Sequence, residues 1–514
     1  MTLKDASDTQ QSLTVEEDFI IVTVDTKQIS AELLTETIGF DEALEKAGSG
    51  AYQRTVLFLA SLYTFGYGAA IVMVSYVTPC AEDDMKLNAI QTSTLGGMIF
   101  VGQLFGNWTF GPLADYFGRK ILILVNVCLM CCATIGIFFS DSYGALLILL
   151  TLIGFGTGGN GVNYSLVAEV LPKDGRGASL ILLGIMWAAG AVTMSGFAWL
   201  GMGMLHMSWH YLTLMTATPY LVVCIGTIFF VLESPRWLYV HGKTKECLSV
   251  LQKTAHRNGI AGDFAFTLEP FAEKTTHQGL LKTLCDRQTN FPTVSLCFVG
   301  MVATFSHISL LLIVPFFMET QQVEGGCDFA YGDIFWSSLS EPVFSILSIW
   351  VIEKSRRIPN MLSLLGSSVL LIVMGCNISS KTFVIVSFLC RGLLGISNNI
   401  YWAIVPEYYP TRIRASVNCV MGSFISVVMF CAPYWVYDFG SSKFQTCALI
   451  SALCISAVIT IFFFLGETAG AQLDSSRQNT KTRQVKTNEG NALLSHDTLK
   501  FSYLSKGDRV LPVN

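Results

Sequence analysis

The stretch Gly111-Pro-Leu-Ala-Asp115-Tyr-Phe-Gly118-Arg119-Lys120 stands between two apolar runs, 92–113 and 121–140. Each run is about as long as a helix must be to cross the hydrocarbon core of a bilayer. The ten residues therefore read as the tight turn of a helical hairpin. Gly111 and Gly118 permit close approach and a sharp bend. Asp115 places an anion near helix ends, and Arg119 and Lys120 suit the anionic inner leaflet of a membrane.

Runs of the same kind recur on both sides of this turn, from Val56 to Leu465. Twelve spanning helices are predicted: 55–79, 92–113, 121–140, 145–168, 178–201 and 213–232, then 291–317, 334–352, 361–377, 383–406, 415–437 and 444–465. Composition agrees, with 52% of residues hydrophobic and only 13% charged, far from the make-up of a soluble domain. The chain divides into a tail over 1–54, a six-helix bundle over 55–232, a polar linker over 233–290, a second six-helix bundle over 291–465 and a tail over 466–514. Polar composition predicts that the last segment is disordered.

Basic residues near span ends are retained on the cytoplasmic side. With the N-terminus inside, the cytoplasmic connections hold seventeen Lys and Arg, against Lys86, Lys381 and Lys443 on the opposite face. Both termini, the linker and the turn at Asp115 are thus expected in the cytoplasm. The net charge of -5 averages over the two faces and points to no partner beyond the lipid bilayer. No groove-binding motif or basic tract suggests nucleic acid. Most of the fifteen cysteines lie in apolar spans, where cysteine behaves as a small hydrophobe. Cys80 and Cys327 fall in predicted exterior loops, which leaves a bridge between them open. No paired C-x-x-C occurs, and neither metal nor cofactor is expected.

The first 54 residues lack the basic-then-apolar pattern of a cleavable signal peptide, so the first span is expected to direct insertion. Within them, Phe40 to Arg54 has the spacing of a short helix ended by glycines, expected to lie along the membrane surface. In the linker, Cys247, Leu248, Val250 and Leu251 alternate with Lys253 and Arg257 in a helical rhythm, as in an amphipathic connector. In the C-terminal tail, Glu489-Gly-Asn-Ala-Leu493-Leu494 fits the acidic dileucine pattern read by cytosolic sorting adaptors. The sequon at Asn377 sits close to the bilayer, and those at Asn107 and Asn163 fall within spans.

The turn at Asp115 resembles the signature loop of the major facilitator superfamily, where the aspartate helps latch the outward-facing state. Four further motifs follow spans four, six, ten and twelve: Glu169-Val-Leu-Pro172 with Arg176 and Gly177, Glu233-Ser-Pro-Arg236-Trp-Leu238, Pro406-Glu407 through Arg412 and Arg414, and Gly466-Glu467-Thr468. In order and spacing these are similar to the sugar porter and organic ion transporter branch, in which such acids and arginines form salt bridges between helix ends. Val74 to Leu87 and Phe40-x-x-Ala43 carry a closer resemblance, to the synaptic vesicle glycoprotein 2 family and its related-protein branch. The resemblance implies the major facilitator fold, an all-α membrane protein with twelve transmembrane helices in two pseudo-symmetric six-helix bundles. The loop between spans seven and eight is a large lumenal domain in the synaptic protein and about 16 residues here, so the partner surface it supplies is not expected.

Substrate sites in such carriers lie between the bundles near the bilayer midplane, and an ionisable group inside a span marks function by default. The spans contain three: His307, Glu341 and Arg391. The first bundle has none. Compared with the family, Tyr67 and Ala70 stand where acids are found in span one and Leu150 where an arginine is common in span four, which weakens the case for proton coupling through that half. Glu341 and Arg391 read either as a gating or substrate-carboxylate site or as a static pair with a neutral alternative for Glu341, and His307 as a titrating or a packing histidine. Gln103, Asn107, Asn160, Asn163, Tyr164, Trp187, Asn398, Asn399, Tyr401 and Trp402 are the polar and aromatic candidates for lining the cavity. Such a set suits a neutral or zwitterionic small organic solute. The leading expectation is a secondary carrier working by alternating access, uncoupled from protons. The rival is a non-transporting vesicle membrane protein that uses the scaffold for partner binding and trafficking. No nucleotide-binding glycine loop or catalytic cluster points to an enzyme.

Overall fold

A computed structural model of the protein describes residues 36–171, 176–260, 266–269, 287–319, 330–352, 355–408, 411–436 and 442–467. The helices after a short N-terminal one, α1 (Phe40–Lys46), form twelve bilayer-length units. Spans one to six are α2 (Ala51–Met85), α3 (Ala89–Phe117), α4 (Arg119–Phe138), α5 with α6 (Tyr143–Thr157, Asn160–Val170), α7 with its terminal π turn (Arg176–Ala198, Trp199–Met204) and α8 (His210–Phe230). After α9 (Pro235–Val240) and α10 (Thr244–Arg257), spans seven to twelve are α11 (Arg287–Glu319), α12 with α13 (Tyr331–Ser338, Ser340–Ile352), α14 (Arg357–Gly375), α15 (Ser380–Tyr408), α16 (Thr411–Tyr434) and α17 (Lys443–Phe464). Eleven of the twelve are apolar enough along their length to cross a membrane on composition alone; α3, interrupted by Thr, Ser, Gln, Asn and Gly, is the exception. Large apolar side chains such as Phe58, Trp108, Ile121, Phe229, Trp350 and Phe463 stand exposed on the outside of the helices, as a lipid-facing belt requires.

Local chemistry sets the helix ends. Asn88 and Gln91 form a reciprocal capping box at the start of α3, Asn88 Oδ1 accepting from Gln91 N at 2.9 Å and Gln91 Oε1 from Asn88 N at 3.0 Å. Ser142 and Ser442 cap α5 and α17. Span one is longer than its apolar run: it continues through Pro79 to Met85, because the acids after Cys80 can remain helical in water. Two spans are broken rather than continuous, span four at Gly158–Gly159 and span eight at Leu339, one residue before Ser340 and two before Glu341.

Packing repeats between the halves. Spans one with five, one with six, two with four and three with six pack in the first half, and seven with eleven, seven with twelve, eight with ten and nine with twelve in the second. Spans two with eleven and five with eight join the halves, and a two-fold exchange maps one pair onto the other. Where spans two and four cross, a Cβ on Gly102, Gly106 or Gly154 would strike a backbone carbonyl of the facing helix, so the backbones touch directly. On the end away from the Asp115 turn the halves meet through a stacked pair, Tyr76 and Tyr331 at 6.2 Å, and through Thr94 Oγ1 and Tyr434 Oη at 2.9 Å.

The short N-terminal helix turns its apolar face to the linker. Residues 36–47 and the linker share one small core: Ile38, Phe40, Ala43, Leu44 and Ala47 pack against Trp237, Leu238, Cys247, Leu251, Ala255, Phe266 and Leu268. Two amphipathic surfaces thereby cover each other. Strand β1 (Glu36–Ile38) pairs in parallel with β2 (Phe266–Leu268), Ile38 opposite Leu268. Burial pushes the Cys247 thiol up to about 12, and its sulfur donates to the Pro235 carbonyl at 3.2 Å, so this cysteine is inert packing. Twelve cysteines among the described residues are free, whereas Cys80 is disulfide-bonded.

Candidate functional site

Two constellations emerge, one at the helix ends and one at the centre of the bundle. At the helix ends a closed ring of five residues surrounds the signature turn. Arg119 Nη1 donates to Asp115 Oδ1 at 2.7 Å, while its Nη2 and Nε reach Glu169 at 3.2 and 3.4 Å. Glu169 Oε2 accepts from Ser234 Oγ at 2.6 Å, Ser234 Oγ accepts from Trp237 N at 3.2 Å, and Trp237 Nε1 donates to the Asp115 carbonyl at 2.7 Å.

Glu233 serves a different purpose. Its Oε1 accepts from the backbone of Arg119 at 2.7 Å and Lys120 at 3.2 Å, neutralising the first orphan donors of α4. Gly118, with φ of 104°, is what lets the chain turn into that position, and a Cβ there would collide with the Glu233 carboxylate. Gly111 contributes close approach instead: a Cβ on it would lie 2.7 Å from Cys419 Sγ in span eleven. Lys120 extends its Nζ to the Ile228 carbonyl at 3.5 Å. In the second half Glu467 accepts from Arg356 N at 2.9 Å, Arg357 N at 3.3 Å and Ser355 Oγ at 2.6 Å.

Arg236 does not join the ring. It pairs with Asp41 at 2.8 Å and lies over the Phe40 ring, tying the N-terminal helix to the linker. The side chains of Arg176, Glu407, Arg412 and Arg414, and the tail residues Glu489, Leu493 and Leu494, lie outside the described residues. Ser234 and Trp237 were not among the sequence candidates, although a Ser followed by Pro is a readable helix start, Ser at the cap and Pro at the first turn.

At the centre, Glu341 Oε1 collects three donors: Arg391 Nη2 at 2.7 Å, Arg391 Nε at 3.1 Å and His307 Nε2 at 3.3 Å. All three residues are at most 3% exposed. An unpaired charge there would carry a desolvation cost of several kcal/mol, which the ion pair offsets. Glu341 Oε2 has no hydrogen bond among the described residues. The break in span eight just before Glu341 sets this carboxylate in the first turn of α13, where helix N–H groups favour an anion.

From this triad a chain of contacts crosses into the first half. The Trp187 indole meets the His307 ring edge-on at 5.7 Å between centroids, Tyr67 meets Trp187 at 6.4 Å, and Gln103 Nε2 donates to Tyr67 Oη at 2.9 Å. Asn398 Oδ1 accepts from Thr304 at 3.2 Å, and Asn399 donates to Ser345 at 2.9 Å while its Oδ1 faces Gly184 of span five. Asn107 reaches Ser426 of span eleven at 3.4 Å.

Other candidates are placed elsewhere. Asn163 donates to the Ala60 carbonyl at 3.1 Å and bridges spans four and one. Asn160 is partly buried, and its Oδ1 has no hydrogen bond among the described residues. Tyr164 packs on a small cluster with Ala60, Val167 and Leu183. Tyr401 is buried under Gly300, and Trp402 faces outward at 39% exposure. Asn126 donating to Tyr63 at 2.9 Å, and Asn360 accepting from Ser397 at 2.7 Å, are interior polar pairs the candidate set missed. Between spans one, two, seven and eleven a crevice lined by Ile71, Val74, Gly96, Ile308 and Pro433 holds about 30 Å³, room for one or two waters.

The sequence model of the family described as "Sugar (and other) transporter" matches residues 51–479. The "Synaptic vesicle 2-related protein" of Rattus norvegicus is 25% identical over 477 residues, which is 86% of this chain and 83% of that protein. "Organic cation/carnitine transporter 7" of Arabidopsis thaliana is 25% identical over 491 residues, 86% of this chain and 97% of that protein. A partially occluded inward-open conformation of the xylose transporter XylE from E. coli superimposes with a TM-score of 0.67 at 15% identity, covering 82% of this chain and 100% of the other. At that identity the likeness concerns the fold alone.

Proposed function

This chain belongs to the sugar (and other) transporter family, as a multi-pass secondary transporter of major facilitator fold, and from that premise we propose that it carries a small organic solute by alternating access. The observation that carries this reading is the contact between Trp187 and His307. It places an aromatic face of the first half against the only buried charge cluster among the described residues, so a solute held there touches both moving bodies. Trp187, Tyr67 and Gln103 supply one wall and His307, Glu341 and Arg391 the other. A neutral or zwitterionic solute with a hydrogen-bond donor suits the buried Glu341 Oε2, which has no hydrogen bond among the described residues.

The carrier works without proton coupling in this reading. The first half offers no Asp, Glu, Lys, Arg or His within the apolar runs of its spans, and in the second half Glu341 is paired through Oε1 with the Arg391 guanidinium. The face bearing Asp115 is assigned to the cytoplasm, with both termini, because basic residues concentrate there. A second reading, a vesicle membrane protein that binds partners without transporting, is favoured by the vesicle relatives' name and by the dileucine pattern for cytosolic adaptors. The membrane in question is that of a vesicle or the cell surface.

The test is uptake of labelled sugars, organic cations, carboxylates and nucleotides into liposomes holding the purified protein, with and without a pH gradient. Uptake indifferent to the gradient supports the uncoupled carrier. Gradient-driven uptake overturns the uncoupling and moves the mechanism to Glu341 and His307, and no uptake of any class favours the second reading.

A further inference from the structure

We propose that Trp237 is a positioning residue of the latch, and that the N-terminal segment Glu36–Ala47 seats it. The proposal rests on the alternating-access reading for its consequence, but not for its geometry.

The helix that carries Trp237, α9, has six residues, too few to hold its shape alone. Its position is set by what lies on either side. On one side Arg236 and Tyr239 grip α1: Arg236 pairs with Asp41 at 2.8 Å and stands over Phe40 at 5.4 Å, and Tyr239 stacks on the same Phe40 ring at 5.0 Å. On the other side the Trp237 indole donates to the Asp115 carbonyl, and its backbone N–H closes the ring through Ser234 to Glu169 and Arg119. Strand β1 pins the far end of the segment to β2. Asn258 pins the near end, its Nδ2 donating to the carbonyls of Ala47 and Gly48 at 3.2 and 3.0 Å and its Oδ1 accepting from Tyr52 N at 3.1 Å.

The segment and the latch thus act on opposite faces of one short helix. Five of the twelve residues in the shared core come from the segment, so unseating it removes the apolar cover on one side of α9. What remains on the latch side is a set of hydrogen bonds, individually weak when the helix behind them is free to move. Any event that draws the N-terminal segment off the linker would loosen the ring around Asp115 without touching a latch residue, which makes the tail a point of control over the carrier's cycle.

The experiment is hydrogen exchange on the full chain in lipid nanodiscs, following backbone amides at 115–120 and 234–241, for Ile38→Asp and separately for Trp237→Phe. Ile38→Asp is expected to speed exchange in both windows on the order of tenfold, as a local opening does. Trp237→Phe keeps the aromatic packing but removes the indole donor, and is expected to speed exchange at 115–120 while leaving residues 244–257 as they were. Faster exchange confined to the linker, or no change in either variant, overturns the proposal. These readouts need no substrate, so a failure of the transport reading leaves a distinct signature.

Discussion

Glu233 and Glu467 hold equivalent places in the two halves: each follows the last span of its bundle and caps, with one carboxylate, the backbone start of the third span of that bundle. Only the first half surrounds the cap with a closed side-chain ring among the described residues. The approach to the cap also differs, since the first half enters span three through Gly118 in a left-handed conformation and the second enters span nine through Arg356 in a right-handed one.

Gly118→Ala would place a Cβ against Glu233 at a φ that L residues avoid. We expect a loss of more than about 1 kcal/mol. Thermal unfolding in detergent checks this, and a midpoint equal to that of the parent would contradict the capping geometry.

Asp115→Asn and Glu169→Gln should differ. The Asp115 side chain is 48% exposed, so its pair with Arg119 contributes at most about 1 kcal/mol. Glu169, at 16%, receives both Arg119 and Ser234. Initial uptake rates should change in both variants with folding and sorting nearly intact, and more in Glu169→Gln. Equal rates in parent and both variants would refute the latch assignment.

Glu341→Gln leaves the Arg391 guanidinium unpaired in the bundle, which is expected to cost about 3–5 kcal/mol. Arg391→Gln leaves the buried carboxylate without its guanidinium partner. The double variant removes both charges and should be more stable than either single one, read as a positive coupling in a double-mutant cycle on the unfolding midpoint. Additive losses would show that the two residues do not rely on each other.

Cys80 is disulfide-bonded, and Cys327, in the predicted exterior loop after span seven, is its expected partner. Cys285 falls in the linker sequence, predicted on the latch side, and Cys80 lies near the opposite end of span one. Peptide mapping under non-reducing conditions is expected to join Cys80 to Cys327. A Cys285 link would reverse the predicted placement of these loops.

Leu493→Ala with Leu494→Ala should move the protein toward the cell surface if the tail is read by sorting adaptors. Surface biotinylation reports the shift, and an unaltered distribution would remove the motif from consideration.

Much of this fold was legible because lipid imposes a length and a composition on each span. The signature turn announced itself through residues whose chemistry is local: Gly118 bends, Asp115 and Arg119 pair across one helical turn. The Glu341–Arg391 pair was readable because two charges in apolar surroundings need each other. What escaped depends on distant parts meeting. Phe40 and Leu251 each look like the apolar stripe of a surface helix, and nothing local says that they cover one another. Trp237 stands in the Glu233–Leu238 motif with no partner readable until the Asp115 carbonyl is found 2.7 Å from its indole nitrogen. The breaks at Gly158–Gly159 and Leu339 sit in short polar stretches inside the predicted spans, Thr157 to Asn160 and Ser337 to Pro342, and a window long enough to find a span averages over them.

The parallel pairing of β1 with β2 imposes an order on synthesis. Ile38 must wait for Leu268, about 230 residues later. At about 5–20 residues per second the ribosome needs roughly 10 to 45 s to deliver it. During that interval six spans enter the membrane while Phe40 and Leu44 remain uncovered. A nascent chain of this protein therefore passes through a stage that is already anchored yet still exposes an apolar tail, which is when a chaperone would find it.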